Sequence, residues 1–197
     1  MNRDELCSIG VMFVQDEKYA LSRYKISEKD LFFKAWNETF DRSPLINDEQ
    51  FQNKSWEDVL LDTNKLQLKI MDKLSQEYVG EVILMNLDAE RPELGIQLLE
   101  KYHGQGIGTR VMNLFLSHLK AIMKIECLTV RIRSDNYISQ KLFEKMGAIK
   151  TGEEGKEYTK LMYELMNTMG KEKFEKTIEA SFESTQVYTI CYKLPVM

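Results

Sequence analysis

The run Tyr102-His103-Gly104-Gln105-Gly106-Ile107-Gly108-Thr109 constrains this chain more than any other, because it sets three glycines between an apolar, strand-like stretch and a long amphipathic one. A chain so built has to leave a strand and enter a helix within a few residues. Backbone N–H groups at a helix start have no intrahelical acceptor and sit at the positive end of the macrodipole, so the turn is a preorganised anion cradle. Glycine lets a phosphate come close where a Cβ would obstruct it.

The hydrophobic period fixes what surrounds that turn. Short apolar or alternating stretches at 11–14 and 19–26, separated by Gln15-Asp16-Glu17-Lys18, predict a hairpin or two successive strands. Ser27 is the expected N-cap of a helix carrying Leu31, Phe32, Ala35, Trp36 and Phe40, stopped by Ser43-Pro44. A second helix is expected to begin near Asn47 or Asp48, with Phe51, Trp56, Val59, Leu60 and Leu61 as its apolar positions. The period then falls to two. Leu66, Leu68 and Ile70 alternate with polar neighbours, and 78–85 follows a polar turn, which predicts an antiparallel pair. A strand at 94–99 leads into the glycine turn.

Beyond the turn, Ile107, Val111, Leu114, Phe115, Leu119 and Ile122 mark a helix with one buried stripe. A β-rich segment at 128–133 follows, then Ser134-Asp135-Asn136 opens a helix that Gly147 closes. Strand, glycine turn, helix, strand, helix is the order of a crossover unit packed on a sheet. A short strand at 148–151, helices at 157–167 and 171–181, and a closing strand at 186–194 complete the reading. With 197 residues, 43% hydrophobic, and no repeat or low-complexity linker, the chain is expected to form one α/β domain around a central mixed sheet.

Composition narrows the partners. A net charge of −4, with Lys and Arg scattered, argues against a nucleic-acid or anionic-membrane surface. Cys7, Cys127 and Cys191 are odd in number and far apart, which predicts neither a disulfide framework nor a zinc site and fits a reducing cytoplasm. The polar N-terminus and the absence of an apolar run of roughly 18 residues predict no signal peptide and no membrane anchor. The glycine turn lacks the lysine of a triphosphate loop, since Thr109 and Arg110 stand in its place. Its G-x-G-x-G spacing also departs from the G-x-G-x-x-G of dinucleotide folds.

His103-Gly104-Gln105-Gly106-Ile107-Gly108 resembles the acetyl-CoA-binding signature [QR]-x-x-G-x-[GA] of the GCN5-related N-acetyltransferase superfamily, GNAT. Asn136, Ser139, Leu142, Phe143, Gly147 and Ala148 are similar, in order and spacing, to its next motif. The likeness covers about residues 76–152. The segment 93–98 is similar to the strand entering the loop in the branch that includes ribosomal-protein N-terminal acetyltransferases.

The resemblance implies a single acyl-CoA N-acyltransferase-like domain with a parallel splayed strand pair, acetyl-CoA as cosubstrate, no metal, and direct attack by a primary amine. It assigns the pyrophosphate to the amides of Gln105, Gly106, Ile107, Gly108 and Thr109, beside Gly104, with His103 standing where the family has Gln or Arg. Pantetheine is assigned to backbone at Ile96 and Leu98, with Asn136 opposite and Phe143 at the position of the family's aromatic. The strand amide near Leu98 is the expected oxyanion donor.

That aromatic is commonly a tyrosine acid, and Phe143 has no proton to give. A glutamate base of some members aligns with Arg131. Glu93 then becomes the base candidate, against a reading as a solvated strand-end carboxylate, and Tyr137 the substitute acid, against a packing role. A segment at about 155–182, inserted before the last strand, is expected to lid the acceptor pocket or to form a homodimer contact. A CoA-binding sensor without turnover and a non-catalytic interaction protein on the same scaffold are the alternatives.

Overall fold

The structure, a computed structural model, describes residues 7–8, 10–40, 48–154 and 189–196. Along the chain run β1 (Met12–Gln15), β2 (Tyr19–Arg23), α1 (Lys29–Phe40), α2 (Glu49–Leu61), β3 (Lys65–Asp72), β4 (Tyr78–Met85) and β5 (Glu93–Leu98). They are followed by α3 (Ile107–Ile122), β6 (Cys127–Arg133), α4 (Tyr137–Lys145), β7 (Ile149–Glu154) and β8 (Thr189–Pro195). The predicted helices at 157–167 and 171–181, the 155–182 insertion, and residues 41–47 with Ser43-Pro44 lie outside the described residues.

The strands form one sheet in the order β1-β2-β3-β4-β5-β6-β8-β7. Only β5 and β6 are parallel neighbours; the other pairs are antiparallel, the predicted β3–β4 pair among them. A parallel pair needs a crossover, and α3 supplies it.

Helices cover both faces of the sheet. Leu66, Leu68 and Ile70 of β3 and Val82 and Leu84 of β4 pack in one cluster with Val111, Phe115 and Leu119 of α3 and Phe143 of α4. A second cluster joins Tyr24, Tyr78 and Leu99 to Phe32 and Phe33 of α1 and Trp56 and Val59 of α2. At roughly 1.5–3 kcal/mol for each large apolar side chain buried, these two layers supply the main driving force for the fold.

The helix caps follow local chemistry. Asp48 caps α2 by accepting the Phe51 N–H at 2.7 Å, and Asn136 caps α4 by accepting the Ser139 N–H at 3.0 Å. Ser27 is not the cap expected of it. It lies inside a 3-10 turn, Ile26–Glu28, that precedes α1, where the Glu28 carboxylate instead accepts the Lys25 N–H at 2.7 Å. A tight turn entering the helix takes the place of an N-cap residue.

Candidate functional site

The parallel pair opens almost as soon as it forms. Its one register pair is Glu93 with Thr129, where the Thr129 N–H donates to the Pro92 carbonyl at 2.9 Å. On its other edge β5 is fully paired with β4, from Met85 opposite Glu93 to Gly80 opposite Leu98, and the Leu99 N–H reaches the Val79 carbonyl at 3.0 Å. Backbone groups of an antiparallel strand alternate between its two neighbours. Residues 97 and 99 therefore bond to β4, and the N–H and C=O groups of Ile96 and Leu98 turn toward the opening. A cleft of about 510 Å³ lies there, lined by Ile96, Gln97, Leu98, Glu100, His103, Asn136, Ile138, Ser139 and Leu142.

At the end of the cleft stands the glycine turn. Gly104 (φ 71°) and Gly106 (φ 75°) are left-handed, and Gly106 is the N-cap of α3. No side chain caps this helix and its first turn carries no carboxylate, whereas Asp48 and Asn136 occupy the starts of α2 and α4. Its orphan amides and positive dipole end are thus available to an anion. Gly108 packs closely: a Cβ there would stand 3.3 Å from the Leu142 side chain and 3.7 Å from that of Leu98, so Leu142 would have to give by a few tenths of an ångström. Ile107 is buried and anchors the turn, Thr109 is half-buried, and the Gln105 side chain donates to the Lys101 carbonyl at 2.6 Å.

His103 is exposed, and its Nε2–H donates to the Leu98 carbonyl at 2.9 Å, holding the turn against the end of β5. Asn136 lines the cleft while its side-chain oxygen caps α4, which leaves its NH2 group for a ligand. Arg110, in the first turns of α3, pairs with Asp16 at 2.8 Å and with Glu17, clamping the helix start to the β1–β2 turn. Burial pushes the Asp16 carboxyl up, but hydrogen bonds from the Tyr19 N–H, Arg110 and the Lys18 N–H hold it below the ordinary aspartate value.

Of the site residues singled out in the sequence, Ile96, Leu98, His103 and Asn136 line the cleft, residues 104–109 form the turn and helix start that follow His103, and Phe143, Tyr137 and Glu93 lie elsewhere. Phe143 is 2% exposed and belongs to the core. Tyr137 is 67% exposed, at the first turn of α4. Glu93 lies at the closed end of the strand pair, 3.7 Å from the Arg131 guanidinium. Arg131 and Glu93, read separately in the sequence, are thus ionic partners across the start of the splay. Among the described residues no group of three or more His, Cys, Asp or Glu could hold a metal ion, and no helix is long and apolar enough to cross a membrane.

What sequence reasoning missed lies behind the cleft, under α1 and α2. Glu81 of β4 is fully buried, and its Oε2 accepts from Tyr24 Oη and from Gln67 Nε2, both at 2.9 Å. The Tyr24 and Tyr78 hydroxyls are 3.0 Å apart. Nearby, Arg23 donates to the Val59 and Leu60 carbonyls at 2.9 and 3.2 Å, closing the end of α2, and Lys69 pairs with Glu28. Burial lowers the Arg23 and Lys65 values and raises those of Glu81 and Tyr24. The available signal was topological: β3 and β4 are central strands with helices predicted before and after them, so polar residues at alternating positions would be buried, not solvated.

A sheet that splays at one parallel pair, with a glycine turn and an uncapped helix at the open end, defines the acyl-CoA N-acyltransferase class of fold. The sequence profile of the GNAT acetyltransferase domain matches residues 19–149. The chain belongs to that family and is an acetyl-CoA-dependent acetyltransferase.

Solved structures share the fold. The chain is similar to a spermidine N-acetyltransferase from Vibrio cholerae in complex with CoA and spermine, at 11% identity and a TM-score of 0.67 over 91% of this chain and 96% of that one. It is similar to a ribosomal-protein-S5-alanine acetyltransferase from Vibrio fischeri at 16% identity and a TM-score of 0.66, over 94% and 96% of the two chains. The Microcin C7 self-immunity acetyltransferase MccE, in complex with acetyl-CoA and AMP, matches at 15% identity and a TM-score of 0.67 over 91% and 93%. No curated protein sequence matches.

Proposed function

We propose that the chain transfers the acetyl group of acetyl-CoA to a primary amine, of a small molecule or a protein N-terminus, by direct attack of the amine on the thioester. The observation that carries this reading is the opening of β5 from β6, which turns the Ile96 and Leu98 backbone into a cleft that reaches His103, the residue before the glycine turn. Acetyl-CoA supplies an activated acyl group. The amides of Gln105 to Thr109 bind its pyrophosphate, the Ile96 and Leu98 backbone and the Asn136 NH2 hold its pantetheine arm, and the Leu98 N–H faces the developing oxyanion. His103 orients the Leu98 peptide. Holding both reactants in one cleft provides much of the acceleration. The scattered charge and the three free thiols support a cytoplasmic setting for this activity.

Titration calorimetry with acetyl-CoA tests the cofactor half. The wild type is expected to bind at one site, and Gly106→Asp, which sets a carboxylate against the pyrophosphate, to lose at least about 100-fold in affinity. Retained affinity in the variant would overturn the placement of the loop, and no binding by the wild type would overturn the reading as an acetyltransferase.

A further inference from the structure

Direct attack by an amine needs a proton acceptor that the described lining of the cofactor cleft does not clearly supply. Among the described residues, the lining of the cleft offers only His103, bonded to Leu98, and the exposed Glu100 as titratable groups. Glu93 is paired with Arg131 and Phe143 has no proton to exchange. An acceptor amine is an ammonium ion at neutral pH, with a reference pKa near 10 for an alkylamine, and cannot attack until it loses a proton.

Three observations bear on where that proton goes. The hydroxyls of Tyr78 and Tyr24 and the Glu81 carboxylate form a continuous hydrogen-bonded chain, with steps of 3.0 and 2.9 Å. Glu81 Oε1 and Gln67 Oε1 are both buried and have no hydrogen-bond partner. Two acceptors without a donor in one cluster mark a place for an added proton or a water. Finally, Glu81 stands directly opposite Gln97 in the β4–β5 register, so the two side chains share a face, and Gln97 lines the cleft.

Resting on the reading as an amine acetyltransferase, we propose that Glu81, acting through the Tyr78–Tyr24 hydroxyl pair, receives the proton that the acceptor ammonium sheds before attack. Each tyrosine accepts one proton and passes on its own, ending with the proton on the Glu81 carboxylate. The amine nitrogen then bonds to the acetyl carbon as the C–S bond breaks. The electron pair leaves with sulfur, and the second nitrogen proton goes to the thiolate, giving amide and free CoA thiol.

The surroundings suit the task. Burial raises the Glu81 carboxyl above the ordinary glutamate value, against the opposing pull of the Gln67 and Tyr24 hydrogen bonds and of Lys65, which brings it closer to the range of an efficient base. Burial and Glu81 keep the Tyr24 hydroxyl protonated far above the ordinary tyrosine value, so it relays a proton without storing a charge. The other charges on this face are engaged elsewhere. Lys69 turns to Glu28 and the Arg23 carbonyl, Arg23 to the end of α2, and Lys65 feels Asp58 and Asp62 as well as Glu81.

The test is the pH dependence of kcat/KM for an amine substrate, found by thiol release across an amine panel, in wild type and Glu81→Gln. The wild type is expected to hold a plateau between the Glu81 and amine pKa values. Glu81→Gln should bind acetyl-CoA as the wild type does but lose about 100-fold at neutral pH. Its remaining rate should follow free amine, rising tenfold per pH unit, so that the deficit closes at high pH. A purely structural role would lower the rate at every pH alike. An active wild type with an indifferent Glu81→Gln, or a loss uniform in pH, overturns the relay and leaves the acetyltransferase reading standing. A wild type that turns over no amine overturns both. Should Glu81→Gln not fold, Tyr24→Phe breaks the same chain while keeping the carboxylate. It is expected to show the same sloping profile, and a wild-type profile in that variant overturns the proposal.

Discussion

The two sides of the β5–β6 opening are built from different materials. On the proposed cofactor side the groups offered to a ligand are backbone: the amides of the Gly106 turn, the uncapped start of α3, and the outward peptides of Ile96 and Leu98. On the side under α1 and α2 they are side chains, Tyr24, Gln67, Tyr78 and Glu81, drawn from three separate stretches of sequence and joined by strand register. Backbone recognition needs only glycine at a few places and tolerates change elsewhere, so it leaves a compact signature. A side-chain cluster leaves none, because each member reads alone as an ordinary strand residue.

Gly80 lies beneath both sides, and its replacement should have the largest effect. Its φ is 153°, and a Cβ there would fall 2.1 Å from the Gln97 carbonyl oxygen and 2.7 Å from the Leu98 Cα. Gly80→Ala is expected to destabilise the fold by at least about 3 kcal/mol in denaturant unfolding, and to disturb both sides together. A variant of normal stability and activity would show that β4 and β5 tolerate separation and that their register sets neither side.

Gly106→Asp separates the sides. A non-glycine residue in the left-handed region costs about 1 kcal/mol of stability, Asp being among the more tolerant, while the affinity for acetyl-CoA falls far more. Loss of affinity only in proportion to loss of stability would mean that the turn acts by folding and not by contact.

Glu81 is the reciprocal probe. Glu81→Ala leaves the Tyr24 hydroxyl and the Gln67 amide without their acceptor, an expected loss of about 2–3 kcal/mol, whereas Glu81→Gln retains an acceptor oxygen and should cost less. The sign of the pH effect follows from the raised carboxyl. A group whose folded value lies above its unfolded one gives stability that is complete below the unfolded value and is lost as pH rises through the folded value. Unfolding free energy measured against pH should show that decline in the wild type, and Glu81→Gln should remove this contribution.

The smallest expected effect is at Asn136. Asn136→Ala should lose the α4 cap, about 1 kcal/mol, together with acetyl-CoA affinity. Asn136→Asp keeps the oxygen that accepts the Ser139 N–H but removes the NH2, so stability should hold while affinity falls. Equal affinity in Asn136→Asp would remove Asn136 from the cofactor contacts.

These contrasts explain what the sequence disclosed. The limits of α3 and β4, the starts of α2 near Asn47 or Asp48 and of α4 after Ser134-Asp135-Asn136, and the order of strand, turn and helix were legible, because period, glycine and capping chemistry act over a few residues. The 3-10 turn at Ile26–Glu28 was not, since Ser27 has the chemistry of a cap and the chain closes the turn through Glu28 instead. His118 of α3 lies edge-on to Phe13 at 4.8 Å with Nε2 buried and unpartnered, and burial lowers its pKa, because the β1 side of α3 is covered. Gln67 and Lys69 look like the wet face of an antiparallel strand. Both are buried, because α1 and α2 return over a face that alternation alone assigns to water.

The most direct test of the account is thiol release from saturating acetyl-CoA by the purified protein, across alkylamines, polyamines, aminoglycosides and peptides with free N-termini. The account predicts that at least one primary amine accelerates release and emerges acetylated, with release abolished in Gly106→Asp. Tight acetyl-CoA binding with no acceleration by any amine would contradict it and leave a CoA-binding protein without turnover.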